Sequence, residues 1–178
     1  HKYLELLREA CTKFNVHLIA DEIAVGFGRT GTMFGFEQAK ITPDIICLSK
    51  GITGGYMTLS TILTTDDIYD AFYDEYEKLN AFLHSHSYTA NPIACSAANA
   101  TLDLFKKMKV IENNKKLSLH MKKCFESLND HPHVSDVRQK GMVLAIELVK
   151  NKKKKLAYDW KERRGIKAYL HGLKNNVL

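Results

Sequence analysis

Two residues stand where a sheet would deliver chemistry. Asp21 closes the short apolar run Val16-His17-Leu18-Ile19-Ala20, and Lys50 follows the run Asp44-Ile45-Ile46-Cys47-Leu48 after a single serine. Such a run, after a helix, reads as a buried strand of a parallel sheet. In open α/β sheets, ligands gather at the carboxyl ends of the strands. A lysine with a buried strand behind it and Gly51 ahead of it is in a poor setting for a surface lysine. Partial burial lets such an amine lose its proton and attack carbonyls. A carboxylate at a neighbouring strand end can keep a ring nitrogen protonated. That pair, a carbonyl-reactive lysine and an acid for a pyridinium nitrogen, is what pyridoxal phosphate chemistry requires. Spacing alone equally fits a plain ion pair between two strand ends.

The elements that must hold this pair follow from periodicity. Leu4, Leu7, Cys11 and Phe14 recur at helical spacing over residues 1–15. A glycine-marked loop, Gly26 to Gly31, separates the first two strands, and the β-branched run Thr58 to Thr64 predicts a third. Asp66 and Asp67 open an acidic helix that the spacing of Ile68, Phe72 and Tyr76 carries to about Leu79. Asn91-Pro92 reads as a cap and first helical position. That helix runs to about Met108, with small residues at Ala94, Ala97, Ala98 and Ala100 suited to close packing. Another helix is predicted over 111–129. Val134–Val137 and Gly141–Val149 read as two strands of a separate sheet, and Leu156–Leu173 as a final helix.

Composition narrows the class. The chain has 178 residues, 45% apolar and 26% charged, with a net charge of +6, as ordinary globular proteins do. No apolar run is long enough for a membrane span, and no secretory signal opens the chain. Its four cysteines form no Cys-x-x-Cys pair, and the expectation is buried, reduced thiols of a cytoplasmic protein. The run Lys150, Lys152–Lys155 lacks interleaved aromatics, so a solvated face is expected and no nucleic-acid partner. His84-x-His86 offers two ligands without a third, so no metal is expected.

The string Asp21-Glu22-Ile23-Ala24-Val25-Gly26-Phe27-Gly28-Arg29-Thr30-Gly31 resembles the signature of class III, ω-type, pyridoxal-phosphate aminotransferases. So does Pro43 to Gly51 with Gly54-Gly55 behind it, and so does Ser87-Tyr88-Thr89-Ala90-Asn91-Pro92. The resemblance covers essentially the whole chain. It implies an α/β fold of the fold type I class: residues 1–106 as the second half of a cofactor-binding large domain, 107–178 as part of a small α+β domain. It implies pyridoxal 5′-phosphate as cofactor and Lys50 as the residue that condenses with its aldehyde and carries the catalytic proton. Asp21 would pair with the ring nitrogen. Ile23, on the same strand face, would press the ring. Ser87 would bind the phosphate of a neighbouring subunit, making the active form a homodimer. Arg29 and Gly55 would lie by the substrate; Glu22 receives no step.

Gly54-Gly55-Tyr56-Met57-Thr58-Leu59-Ser60 is similar to a narrower branch. Its members move an amino group from S-adenosylmethionine to 8-amino-7-oxononanoate in biotin biosynthesis. The alternatives are another class III enzyme with an ω-amino or ornithine-type donor, and a non-catalytic ligand-sensing module. The chain opens without Met, inside a helical pattern, and closes on Val177-Leu178 like a strand about to start. It is therefore expected to be a piece of a longer protein, inactive or nearly so by itself.

Overall fold

The computed structural model describes residues 1–177. It divides into two compact units, His1–Lys116 and Leu117–Leu178. No described helix is long and apolar enough to cross a membrane.

The first unit opens with helix α1 (Lys2–Lys13) and leads into a sheet of order β1-β2-β3, made by Ile19–Asp21, Ile45–Leu48 and Thr61–Thr64. β1 and β2 run parallel with Asp21 opposite Cys47; β3 returns antiparallel, Leu48 opposite Thr61. The sheet is thus mixed, with its parallel pair where the two apolar runs were read.

Asp44 stitches this region together. Its Oδ2 accepts the Leu18 amide at 2.6 Å and Arg8 Nη1 of α1 at 2.8 Å. These bonds, the backbone amide first, lower the Asp44 pKa below its ordinary 3.8. A depressed carboxylate pKa contributes stability above the unfolded pKa and loses it as pH falls through the folded one. Asp44→Asn is therefore expected to destabilise by about 1–3 kcal/mol at neutral pH, with the gap to the parent closing as pH falls below the ordinary 3.8 and through the lowered folded-state pKa. Thermal unfolding of both forms across that range reads it directly.

The sheet's two faces differ. Leu48 and Ile46 point into the core with Phe27, Ile52 and Ala98. The opposite face, Ile19, Ile45, Cys47 and Ile62, lines an apolar groove of about 680 Å³ bordered by Phe72 and Phe82.

Helix α2 covers only Asp66–Asp70, far short of Leu79. Asp66 and Asp67 open it as expected, and Thr65 caps it. Downstream, Asp74 takes the Glu75 amide and Asn80 on its own carboxylate, drawing the backbone into a local turn. Helix α3 (Pro92–Lys107) begins as its sequence predicts, with Asn91 Oδ1 accepting the Ile93 amide at 3.0 Å. Its Ala94 and Ala98 are buried and pack on the turn Lys50–Thr53. Cys95 lies one residue, about 100°, round from that face and is exposed. None of the four thiols reaches the expected burial: Cys11 and Cys47 are half-buried, Cys95 and Cys124 exposed.

Helix α4 (Val110–Phe125) leads into the second unit, where β4 (Val134–Lys140) and β5 (Val143–Asn151) form an antiparallel hairpin. Leu156–Ala157 is strand β6 on the edge of β5, not the start of a helix. Asp159 then caps a 3₁₀ turn and Arg163 takes a left-handed φ of 48°, so helix α5 spans only Arg164–Lys174. Lys152–Lys155 is the turn between β5 and β6, in keeping with a solvated loop. Val177 N–H bonds Gly172 O, and the strand expected to start at Val177-Leu178 runs into Leu178, which lies outside the described residues.

Candidate active site

The parallel pairing fixes the site. Neighbouring strands lie about 4.8 Å apart, so Asp21 at the end of β1 faces the end of β2, with Lys50 three residues beyond Cys47. Both side chains are exposed. Asp21 Oδ1 accepts the Ile23 amide at 3.0 Å. No ion pair joins Asp21 to Lys50 or to any other described residue, which removes the plain ion-pair reading. The acid and the amine stand at adjacent strand ends, each open to a third group.

Lys50 is held in an unusual backbone. Its φ is 46°, left-handed, in a residue with a Cβ. The turn around it is tied internally: Ser49 Oγ donates to Leu59 O at 2.7 Å, and Thr53 Oγ1 to Met57 O at 2.6 Å. Gly51 is there because Phe27 leaves no room. A Cβ on Gly51 would meet Phe27 Cβ at 2.8 Å. Gly51→Ala is expected to destabilise by about 1–3 kcal/mol through overpacking, read as a lower Tm.

Ile23 is not on the strand. β1 ends at Asp21, because the Asp21 carboxylate captures the Ile23 amide and Gly26 N–H bonds Glu22 O. Ile23 is half-buried in the ensuing turn. Arg29 is exposed on the same loop, whose far side is held by Gln38 Nε2 on Thr30 and Thr32. Gly55 has a φ of 85° and nothing within 4 Å of where a Cβ would stand. Ser87 is exposed; its turn is closed by His86 and Thr89 rather than by its own hydroxyl. The strand register thus places Asp21 opposite Cys47, three residues before Lys50, with Ile23 in the turn bonded to Asp21 and Ser87 on a separate loop. No three described His, Cys, Asp or Glu side chains converge as metal ligands would.

One residue escaped the sequence reading. Glu22 is 3% exposed, and its carboxylate accepts Gly35 N–H at 2.9 Å and Phe36 N–H at 3.0 Å. The only sequence signal was a charge set directly behind a buried strand.

The sequence matches the aminotransferase class-III family over residues 1–176. The chain belongs to that family. It is 51% identical over 160 residues to the adenosylmethionine-8-amino-7-oxononanoate aminotransferase of Helicobacter pylori, covering 88% of this chain and 37% of that protein. The crystal structure of adenosylmethionine-8-amino-7-oxononanoate aminotransferase from Methanocaldococcus jannaschii matches with a TM-score of 0.93 and 41% identity, over 98% of this chain and 41% of that one. An (S)-enantioselective ω-transaminase from Thermomicrobium roseum matches with a TM-score of 0.90 and 31% identity, over 99% and 39%. The class-III chain thus has the α/β fold of the type I transaminases and spans about two fifths of these relatives' length.

Proposed function

We propose that the protein containing this chain is a pyridoxal 5′-phosphate-dependent aminotransferase. It moves an amino group from S-adenosylmethionine to 8-amino-7-oxononanoate, giving 7,8-diaminononanoate for biotin synthesis. The observation that carries this reading is the unpaired acid–amine couple at the ends of parallel strands β1 and β2, in a chain 51% identical to a relative of that name.

The residues present fit the cofactor. Asp21 has a carboxylate oxygen beyond the one bonded to Ile23, suited to holding a proton on a ring nitrogen. Lys50 offers a primary amine with no described carboxylate against it. When bound, pyridoxal phosphate supplies a ring that accepts the electron pair left as the amino-bearing carbon loses its proton. Asp21 keeps the ring nitrogen protonated and so keeps that pull strong. Lys50 Nζ would carry the proton from the donor carbon to the cofactor carbon that receives the amino group, and would make the reverse transfer, from that carbon to the acceptor's, when the amino group is passed on. Ile23 gives an apolar wall to one ring face. Arg29 presents a guanidinium for a carboxylate, and Gly55 leaves room for substrate.

Ser87, with an exposed hydroxyl, is suited to donating to the phosphate held by a second copy, which makes the working form a homodimer. Residues 1–106 are the cofactor-binding portion and 107–178 the small-domain portion. The free thiols suit a cytoplasmic location.

The likeness to an ω-transaminase favours one other reading, an ω-amine donor. Full-length protein separates the two. Reduction with borohydride in the presence of pyridoxal phosphate should mark Lys50 alone among the lysines in peptide maps. S-adenosylmethionine should then support amination of 8-amino-7-oxononanoate where simple ω-amines do not. An unlabelled Lys50 overturns the cofactor assignment, and turnover with ω-amines alone overturns the donor.

A further inference from the structure

We propose that Glu22 is a positioning residue that sets the backbone of Lys50 across the turn following β1; this rests on Lys50 being the cofactor-linked lysine. A carboxylate buried to 3% exposure is costly unless hydrogen-bonded. No described basic side chain pairs with Glu22; two backbone amides do, at Gly35 and Phe36. Those bonds close the base of the loop between residues 23 and 34.

Inside the closed loop, Phe34 leans edge-on against Phe27 with ring centroids 5.8 Å apart. Phe27 is held at a φ of 58° and presses on Gly51, where not even a methyl group fits. Gly51 is bonded to Lys50, whose own φ of 46° persists only while its surroundings enforce it. Opening the Glu22 clasp releases Phe34 and Phe27, and with them the wall against which Lys50 is turned. The same clasp fixes the peptide just after Asp21, so one buried carboxylate holds both strand ends in register.

The test uses the full-length protein and two variants, Glu22→Gln and Phe27→Leu. Glutamine offers one carbonyl oxygen to two amides and turns its NH₂ toward the other. The readouts are the rate at which pyridoxal phosphate becomes reducible onto Lys50, kcat, KM and Tm, all taken well below each variant's Tm. Glu22→Gln is expected to slow labelling and lower kcat roughly tenfold to a hundredfold, with KM nearly unchanged. Phe27→Leu should show the same pattern, and the double variant should add little to either, as for residues acting along one path. Labelling and kcat at the parent's values, with only Tm lowered, overturn the proposal and leave the cofactor assignment standing. Absence of labelling in the parent overturns both. Should Glu22→Gln fail to fold, Gly35→Ala carries the test, because its Cβ would crowd Glu22 Oε1 at 3.3 Å while keeping the charge. The same two readings of its labelling rate apply.

Discussion

Replacing Lys50 with glycine is expected to make the protein more stable and to stop it working. A left-handed backbone costs a residue with a Cβ about 1–2 kcal/mol, and Lys50 sits at a φ of 46°. Glycine adopts that conformation freely, although it loses more entropy on folding, by about 0.5–1 kcal/mol. The side chain is exposed, so its removal leaves no cavity. The net expectation is a gain of about 0.5–1 kcal/mol, seen as a small rise in Tm. Activity should fall by about ten-thousandfold or more, since both roles proposed for Lys50, proton carrier and covalent anchor, need its amine. Lys50→Arg isolates the chemistry. It keeps the charge and the strained φ, so Tm should not move, yet a guanidinium that never loses its proton cannot replace the amine. Activity in the arginine variant, or a lower Tm in the glycine variant, contradicts this account.

Asp21→Asn is expected to reduce kcat by roughly a hundredfold to a thousandfold, the range found when one preorganised electrostatic partner is removed. Stability should change by no more than about 0.5 kcal/mol. The amide still offers an oxygen to the Ile23 amide, so the turn after β1 survives. What is lost is the negative charge proposed to keep a ring nitrogen protonated. kcat at saturating substrate and Tm, measured on the same preparation, separate this from a folding defect. A variant with near-parental kcat would remove Asp21 from the proposed mechanism.

Much of the scaffold was readable because local chemistry and tertiary packing agree there. The Asn91 cap, the helix behind it and the buried face of Ala94 and Ala98 follow from short-range rules. Both apolar runs became strands because each is covered on the face where Leu18 and Leu48 are buried. Failures came where a polar side chain redirected the backbone. Asp21 captured the Ile23 amide and drew Ile23 into a turn, off the strand face; Asp74 shortened α2; Asp159 and Arg163 delayed α5. Side-chain capture of backbone amides competes with periodicity and leaves no periodic trace. Around the candidate site, the placement of Asp21 at the end of β1 and of Lys50 just past β2 was legible, but the left-handed φ of Lys50 and the burial of Glu22 were not. Both depend on a phenylalanine and two amides that come together only in three dimensions.

The antiparallel return of β3 has a dynamic consequence. Because Leu48 pairs with Thr61, the segment bearing Lys50 is anchored at both ends, and Ser49 and Thr53 brace its middle. A hinge needs slack that this segment lacks. Lys50 therefore travels only as a four-carbon arm on a stationary root, with rotamer changes in picoseconds to nanoseconds. The amides of Ile52 and Gly54, bonded to Ser49 and Gly51, should exchange with deuterium slowly, as sheet amides do. On that timescale, movement of the arm is not expected to limit the proposed reaction.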